Sequence, residues 1–302
     1  MDKLPPNYKS GFVAVMGKPN VGKSTLVNQL MGTKIAATSP WPQTTRITQM
    51  GIMTLEVAQI IFVDTPGIHH AIHKLGERMN QDALKVLEDS DIVLYVVDVS
   101  QPPDDDDKLL AKFLSEIRRS VPIFIALNKC DLESDKTNEA HVREFQTLIR
   151  SSDSILVSAT RGDNLDQLVE RLVNLLPQGP PFFPEDQLTD LYEREIVADL
   201  IREAILYNLR AEVPHSIAVR IDEFKDRDQD NTYISGTLFV ERDSQKGIVI
   251  GQGGKKLKKI GIDARLKIEE LLGRKVFLQL RVKVRKNWRN DEAALNLFGF
   301  RH

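Results

Sequence analysis

The chain has 302 residues, of which 41% are hydrophobic and 28% charged, and its net charge is −2. That length is sufficient for two domains with separate hydrophobic cores. The single cysteine excludes an internal disulfide, and no apolar run approaches the roughly 20 residues of a membrane-spanning helix. Residues 1–10 lack the apolar stretch of a signal peptide, so we expect a cytoplasmic protein.

The small net charge hides an uneven distribution along the chain. Residues 241–302 contain 16 Lys and Arg against 7 Asp and Glu, so this part carries +9 and the rest of the chain −11. A basic C-terminal quarter joined to an acidic body predicts a polyanion as a binding partner.

The first predicted strand, 12–16, leads into a sequence that fits the phosphate-binding pattern G-x-x-x-x-G-K-[ST]. A helix is predicted from Thr25 to Met31, with Gly32 as its C-cap. In this context loop amides and the helix dipole attract phosphate groups. We predict that Lys23 binds the β- and γ-phosphates and that Ser24 ligates Mg²⁺. The predicted nucleotide contacts here are Gly17, Lys18, Pro19, Asn20, Val21, Gly22, Lys23, Ser24 and Thr25.

Apolar runs alternate with amphipathic helical stretches as far as residue 176. This alternation predicts an α/β domain, a mostly parallel sheet with helices on both faces. Runs 50–57 and 59–63 are too close for a crossover, so we expect an antiparallel hairpin at the sheet edge. An acidic run, Gln101–Asp107, is interpreted as a solvated loop that places acids at a helix start. The further predicted strands are 92–99, 121–127 and 154–157.

Two further motifs follow predicted strands, at the edge where open α/β sheets bind ligands. In Asp64-Thr65-Pro66-Gly67, Asp64 is expected to hold Mg²⁺ from the second shell, and the Gly67 N–H to approach the γ-phosphate. In Asn128-Lys129-Cys130-Asp131, the aspartate suits the N1–H and 2-amino donors of guanine. Asn128 either bonds the base or braces the phosphate loop.

Two more segments complete the predicted nucleotide site. Ser158-Ala159-Thr160 follows strand 154–157 and is a candidate to offer an amide to guanine O6. Residues Pro42–Arg46 lie in a long loop after the first helix, a segment suited to becoming ordered on the γ-phosphate and Mg²⁺.

These five motifs, in their unpermuted order along the chain, resemble those of translation-factor-type GTPases, which implies hydrolysis of GTP to GDP and phosphate. The resemblance implies that Ser24 and Thr45 ligate Mg²⁺, with Asp64 acting through water. It also implies that Asn128 and Asp131 select guanine. The residues implied in catalysis are Asn20, Lys23, Thr45 and Gly67. The remaining implied nucleotide contacts are Thr65, Pro66, Ile68, Lys129, Cys130, Ser158 and Ala159.

Ile68 departs from the Ras-type pattern, which has a water-orienting Gln at this position. An apolar side chain cannot polarise water, so slow intrinsic hydrolysis is expected. Some GTPases with this substitution resemble the chain in having Asn at the position of Asn20, and they use K⁺ in place of an arginine finger. Asn20 therefore either helps to bind K⁺ or only braces the loop.

Pro177–Pro181 cannot continue a helix and is interpreted as the start of a linker. The predicted organisation is a GTPase domain at 1–176, a linker at 177–188 and a second domain at 189–302. The second domain has the predicted order α-β-β-α-α-β, which describes a compact α+β fold. Its predicted elements are a helix at 189–211, strands 216–224 and 232–241 joined by a turn at 225–231, an apolar segment at 246–250, a basic helix to 272 and a strand at 275–284.

A glycine-rich turn precedes the basic helix. Because glycines carry no Cβ, a phosphodiester backbone can approach such a turn, where helix amides and lysines bind phosphates. The sequence resembles a type II KH domain, a single-stranded RNA-binding module; the alternative is a helix–turn–helix joint with a solvated basic face. Trp288 is equally suited to stacking on a base and to packing. The predicted RNA-binding residues are Gly251, Gln252, Gly253, Gly254, Lys255, Lys256, Lys258 and Lys259.

The whole arrangement resembles the Era-like family of bacterial GTPases. That resemblance implies binding to the 3′ end of small-subunit ribosomal RNA, a role in maturing that subunit and peripheral contact with the inner membrane; a monomer is expected. We expect GTP to order the loop around Thr45 and residues 64–82 and so to expose the KH groove. Two alternatives stay open: a membrane signalling GTPase, and an RNA-binding protein with a vestigial nucleotide site.

Overall fold

A computed structural model of the chain describes residues 5–33, 36, 45–116, 121–132, 135–149, 153–189, 193–227 and 230–300. Residues 42–44 of the predicted mobile loop and residues 228–229 of the predicted turn lie outside the described residues. The chain divides into two compact units between Asp190 and Leu191, and residues 72–78 group with the second unit.

The first unit contains a six-stranded sheet in the order β2-β3-β1-β4-β5-β6. Among the described strands of this sheet, β2 and β3 pair antiparallel, which confirms the predicted edge hairpin, and the other neighbours are parallel. The predicted α/β class is also confirmed. The strands are β1 (Lys9–Met16), β2 (Gln49–Thr54), β3 (Ala58–Asp64), β4 (Ile92–Asp98), β5 (Ile123–Asn128) and β6 (Asp153–Leu156).

Helices cover both faces of this sheet, and each face has its own apolar core. Along β1, Val13 and Val15 enter the core under α1 and α5, whereas Ala14 and Met16 enter the core under α2, α3 and α4. Strands buried on both faces appear in the sequence as continuous apolar runs. The parallel strands then bring their carboxyl ends to one edge, where the motifs lie. The helices are α1 (Lys23–Met31), α2 (Lys74–Asp89), α3 (Asp105–Ser115), α4 (Asp135–Leu148) and α5 (Leu165–Leu175).

Residues 177–188, here called the strap, pack along the β2–β3 edge and belong to the first unit. Gln59 of β3 is fully buried; its Oε1 accepts from the backbone N–H of Phe182 at 2.8 Å and of Phe183 at 3.0 Å, and its Nε2 donates to Phe183 O at 2.9 Å. At the edge strand, Ile52 N–H donates to Leu188 O at 2.8 Å. The strap therefore covers part of a sheet edge that would otherwise be open.

The second unit has the predicted α-β-β-α-α-β order, followed by a short helix that the sequence did not indicate. Its sheet has the order β7-β8-β9, with β7 and β8 antiparallel and β8 and β9 parallel. Apolar residues of α6 and α8 pack against Ile234 and Leu238 of the central strand. The elements are α6 (Glu193–Asn208), β7 (Ala218–Asp226), β8 (Asn231–Val240), α7 (Asp243–Ile250), α8 (Lys255–Leu272), β9 (Lys275–Val284) and α9 (Glu292–Leu297).

No helix in the described part of the chain is long and apolar enough to cross a membrane.

Candidate functional site

The loop between β1 and α1 turns so tightly that two of its positions require glycine. A Cβ on Gly17 would lie 2.4 Å from Val96 O, and a Cβ on Gly22 would lie 2.4 Å from Asn128 Nδ2. Gly22 also has a φ of 100°. Inside the loop, the buried Lys23 ammonium donates to Gly17 O at 3.0 Å and to the carbonyl of the next residue at 3.1 Å. The loop therefore holds a positive charge among backbone groups, the arrangement that a polyphosphate requires.

Three oxygen-bearing side chains from separate parts of the chain meet beside this loop. Ser24 Oγ at the start of α1 lies 2.7 Å from Thr45 Oγ1 and 2.6 Å from Asp64 Oδ2 at the end of β3. Thr45 Oγ1 lies 3.4 Å from the same carboxylate oxygen. The other oxygen, Oδ1 of Asp64, is buried and has no hydrogen-bond partner among the described residues. A set of hard oxygen atoms with one buried acceptor unsatisfied fits Mg²⁺.

The motif that follows β3 lies against the phosphate loop. Thr65 Oγ1 donates to Val15 O at 2.8 Å, which fixes the start of the motif to β1. A Cβ on Gly67 would lie 2.7 Å from Pro19 N, so the Gly67 backbone is directly beside the loop. Ile68 is 1% exposed and belongs to the apolar core under α2. Its side chain is therefore a packing element and takes no part in orienting a water molecule.

Asn128 connects the phosphate loop to the predicted base-binding segment. Its Nδ2 donates to Val21 O at 2.7 Å, and its Oδ1 accepts from the Ala159 N–H at 2.9 Å. The sequence left two roles open for Asn128, and these contacts are those of a brace. They also occupy the Ala159 amide, which was a candidate donor to guanine O6. Asp131 differs, because its Oδ1 is buried without a hydrogen-bond partner among the described residues and can accept from a base.

Lys18 does not direct its side chain toward the phosphate position, although the sequence places it among the nucleotide contacts. Its ammonium lies 2.7 Å from Asp104 Oδ2 and 2.7 Å from Asp107 Oδ2, at the start of α3. Asp104 is the N-cap of that helix and Asp107 is fully buried. The interpretation of 101–107 as a solvated loop was therefore wrong for Asp107, because burial there is compensated by hydrogen bonds that only the tertiary fold supplies.

The glycine-rich turn between α7 and α8 leaves open space where side chains would project. Gly253 and Gly254 have φ values of 57° and 74°, and a Cβ on either would meet no atom within 4 Å. At Gly251 a Cβ would lie 2.7 Å from Lys256 Cβ, so this glycine serves the fold of the turn itself. The four lysines at the start of α8 are exposed around the turn. The turn thus combines glycine backbone, open space beside two of its glycines and four exposed lysines.

A groove runs from this turn between α8 and β9, and it adds residues of both elements to the predicted RNA-binding set. Lys258 and Arg265 supply its charge, and Phe277, which is 62% exposed, forms part of one wall. An apolar floor with cationic residues suits nucleobases whose phosphates lie on the lysines. Ile262 and Phe277, apolar residues at exposed positions, were the available sequence signal. The remaining lining residues are Gly254, Leu257, Gly261, Ile262, Val276, Leu278 and Leu280.

Trp288 is fully buried and cannot stack on a base. Its Nε1 donates to Ser216 O at 2.8 Å, and its ring meets that of Phe298 edge to face at 5.3 Å. Two of the basic residues near it are held in ion pairs, Arg285 with Asp291 and Arg289 with Glu241. Of the two functions that the sequence allowed for Trp288, the structure supports packing.

The titration of Lys23 offers a test of its predicted contact with the phosphates. Burial lowers the pKa of Lys23 to about 8, although Asp64 nearby acts in the opposite direction. Phosphate groups raise the pKa again, so we expect GDP binding at pH 8 to take up about half a proton. Calorimetry in two buffers of different ionisation enthalpy measures that uptake. Burial raises the pKa of Asp64, the carboxyl expected to act on Mg²⁺. The titration is therefore carried out without Mg²⁺, so that the ion does not change the charge beside that carboxyl. Zero uptake would contradict the assignment.

Comparison with known proteins matches both units. Residues 12–129 match the family described as 50S ribosome-binding GTPase, and residues 212–289 match the KH domain family. The GTPase Era of Carboxydothermus hydrogenoformans is 46% identical over 295 residues, which are 97% of this chain and 98% of the relative.

Two of the solved structures that resemble the chain match it over nearly its whole length. One is Era in complex with MgGDPNP and nucleotides 1506–1542 of 16S ribosomal RNA, with a TM-score of 0.92 and 38% identity, covering 98% of this chain and 100% of that chain. The other is a variant of Aquifex aeolicus Era bound to GDP·AlF4⁻, with a TM-score of 0.92 and 39% identity, covering 97% of this chain and 100% of that chain.

Proposed function

The chain belongs to the Era family of GTPases, and from this premise we propose that it hydrolyses GTP and binds the 3′ end of 16S ribosomal RNA while the small ribosomal subunit matures. The observation that carries the proposal is the likeness, over 98% of this chain, to an Era structure that contains both MgGDPNP and 16S ribosomal RNA nucleotides. The RNA is assigned to the groove between α8 and β9 and to the adjoining glycine-rich turn.

The proposed functions of the nucleotide-site residues divide between phosphoryl transfer and recognition of the base. Phosphoryl transfer proceeds mainly through positioning and charge stabilisation, because the transferred group carries its charge on its outer oxygens. Lys23 and the loop amides neutralise that charge, and the Gly67 N–H donates to the γ-phosphate. Ser24 and Thr45 would hold Mg²⁺, with Asp64 acting through water; when bound, the ion supplies further charge neutralisation. Asp131 accepts from guanine.

K⁺ is proposed to replace an arginine finger, with Asn20 among its ligands. Asn20 lies in the phosphate loop with a φ of 66°, so Asn20→Gly removes the side chain and keeps the backbone conformation accessible. We expect exchange of K⁺ for Na⁺ to lower turnover about tenfold or more in the wild type, and much less in Asn20→Gly. GDP affinity is the control for an intact loop. Equal wild-type turnover in K⁺ and Na⁺ would refute the K⁺ function.

GTP is proposed to gate RNA binding, and the first test is RNA affinity in the two nucleotide states. The probe is a single-stranded oligonucleotide that copies the 3′ end of 16S ribosomal RNA, at about 0.15 M salt. We expect about tenfold tighter binding with a non-hydrolysable GTP analogue than with GDP, a usual coupling between two sites. Equal binding would refute gating. Absence of binding in both states would favour the membrane-signalling alternative.

The location and assembly state are proposed on family membership alone. We propose a cytoplasmic monomer that contacts the inner membrane only at its surface. Cell fractionation with a salt wash, together with light scattering of the purified chain, tests both statements; recovery only in the detergent-soluble fraction, or a stable dimer, would contradict them.

A further inference from the structure

The side chain of Lys18 connects the phosphate loop to the start of α3. Its ammonium contacts both Asp104 and Asp107 at 2.7 Å, and the Lys18 side chain is only 12% exposed. Burial lowers the pKa of Lys18, but its hydrogen bonds to the two carboxylates outweigh this effect and raise it overall. The lysine is therefore a permanent cation, and its charge is committed to these two carboxylates.

The carboxylate end of this connection is fixed on two sides. Asp107 is fully buried, and its Oδ1 accepts from the Tyr95 hydroxyl of β4 at 3.2 Å. Its Oδ2 accepts from the Asp104 N–H at 3.1 Å, half of a capping box at the start of α3. Since Tyr95 is itself fully buried in the sheet, the acidic helix start is attached to the core of the first unit. The acidic start of α3 is therefore a fixed point to which Lys18 attaches the phosphate loop.

The backbone next to Lys18 belongs to the predicted phosphate site. Lys18 O accepts from the Lys23 ammonium at 3.1 Å, so the carbonyl of the anchored residue helps to place the lysine that binds phosphate. The following residue, Pro19, lies against Gly67, since a Cβ on Gly67 would come within 2.7 Å of Pro19 N. The anchored segment thus forms the surface between Lys23 and the glycine assigned to the γ-phosphate.

We propose that Lys18 is a positioning residue for GTP hydrolysis. Its contacts with Asp104 and Asp107 at the start of α3 hold residues 17–19 in place, and these residues keep Lys23 and Gly67 correctly placed relative to the γ-phosphate. The inference rests on the phosphate site proposed above. GDP has no γ-phosphate, so its binding does not depend on the proposed contact of the Gly67 N–H. Loss of the anchor therefore lowers the hydrolysis rate more than GDP affinity.

The test measures single-turnover GTP hydrolysis, GDP affinity and the thermal unfolding midpoint in a set of variants of the full chain. Lys18→Met removes the charge and keeps the length of the side chain, and we expect about a tenfold slower hydrolysis with GDP affinity little changed. Lys18→Arg restores both contacts and most of the rate. Asp107→Asn slows hydrolysis similarly, and the double variant with Lys18→Met is no slower than the slower single variant, because both remove one connection.

Lys108→Met is the matched control, because it makes the same chemical change at a lysine of α3 that pairs with Asp105 at 3.0 Å on an exposed surface. Its rate stays at the wild-type value. Asp104→Asn removes only one contact from a half-exposed acid and gives an intermediate rate, which keeps the test available if Lys18→Met does not fold.

Two outcomes overturn the proposal. A wild-type rate in a folded Lys18→Met variant, or additive losses in the double variant, refutes the positioning function and leaves the GTP site standing. A wild-type chain that binds no GDP refutes the proposed nucleotide site, and this inference with it.

Discussion

Replacement of Asp131 by Asn is expected to lower GTP affinity at least about 100-fold and to make xanthosine triphosphate the preferred nucleotide. The Oδ1 of Asp131 is buried and has no hydrogen-bond partner among the described residues. Such an acceptor is costly unless a ligand supplies donors, and guanine supplies them at N1 and at its 2-amino group. An asparagine amide presents N–H donors instead, and xanthine carries an acceptor oxygen where guanine has its amino group.

Competition of GTP, xanthosine triphosphate and ATP against a fluorescent GDP analogue measures this change in specificity. Asp153→Asn is the matched control, since it makes the same chemical change at an exposed carboxylate that pairs with Arg171 at 2.8 Å. The control is expected to keep the preference for GTP. If Asp131→Asn left the ratio of the two affinities unchanged, Asp131 would not be the residue that reads the base.

The combination of Gly253→Asp with Lys256→Glu is expected to reduce RNA affinity about 100-fold or more while GTP hydrolysis without RNA stays at the wild-type rate. The pair places a carboxylate in the open space beside Gly253 and reverses a charge on the exposed start of α8. Aspartate is among the residues that tolerate a positive φ, and no protein atom lies within 4 Å of its Cβ. The fold of the turn should therefore survive.

Gly273→Asp with Lys275→Glu is the control for charge and backbone strain. Gly273 has a φ of 64° with open space around a Cβ, it follows the last residue of α8, and neither Gly273 nor Lys275 is among the residues that line the groove. Affinities at several salt concentrations separate phosphate contacts from base contacts, because only the former change the salt dependence. Equal losses in both double variants would show that general charge, and not the glycine-rich turn, determines binding. Full affinity in the first variant would place the RNA elsewhere.

The sequence predicted the parts of the site that are built from contiguous residues. The phosphate loop follows β1, Asp64 is the last residue of β3 and Gly67 lies three residues further on. The apolar runs of both strands are visible in the sequence, and their parallel pairing brings these residues to one edge of the sheet. The α-β-β-α-α-β order could also be predicted, since hydrophobic residues recur with different periods in amphipathic helices and in alternating strands. In both units the pattern alone determined the class of fold.

What the sequence could not decide depends on distant contacts. The side chain of Asn128 can bond a base or a backbone group. Its contacts as a brace depend on the position of Ala159, which lies just beyond the end of the neighbouring strand β6. Trp288 could be assigned to packing only when its contact with Ser216 was known. The partners of Lys18 lie 86 and 89 residues away, in an acidic run that by itself is typical of solvated helix starts.

The strap has a practical consequence for isolating the GTPase part. A fragment that stops at residue 176 would retain every nucleotide-binding motif but lose the partners of Gln59, whose side chain bonds the backbone of Phe182 and Phe183. Phe183 also packs on the apolar side chains of β2 and β3, so the truncation would expose an apolar surface that promotes aggregation. Proteolysis products and recombinant fragments that stay in solution should therefore reach at least Leu188.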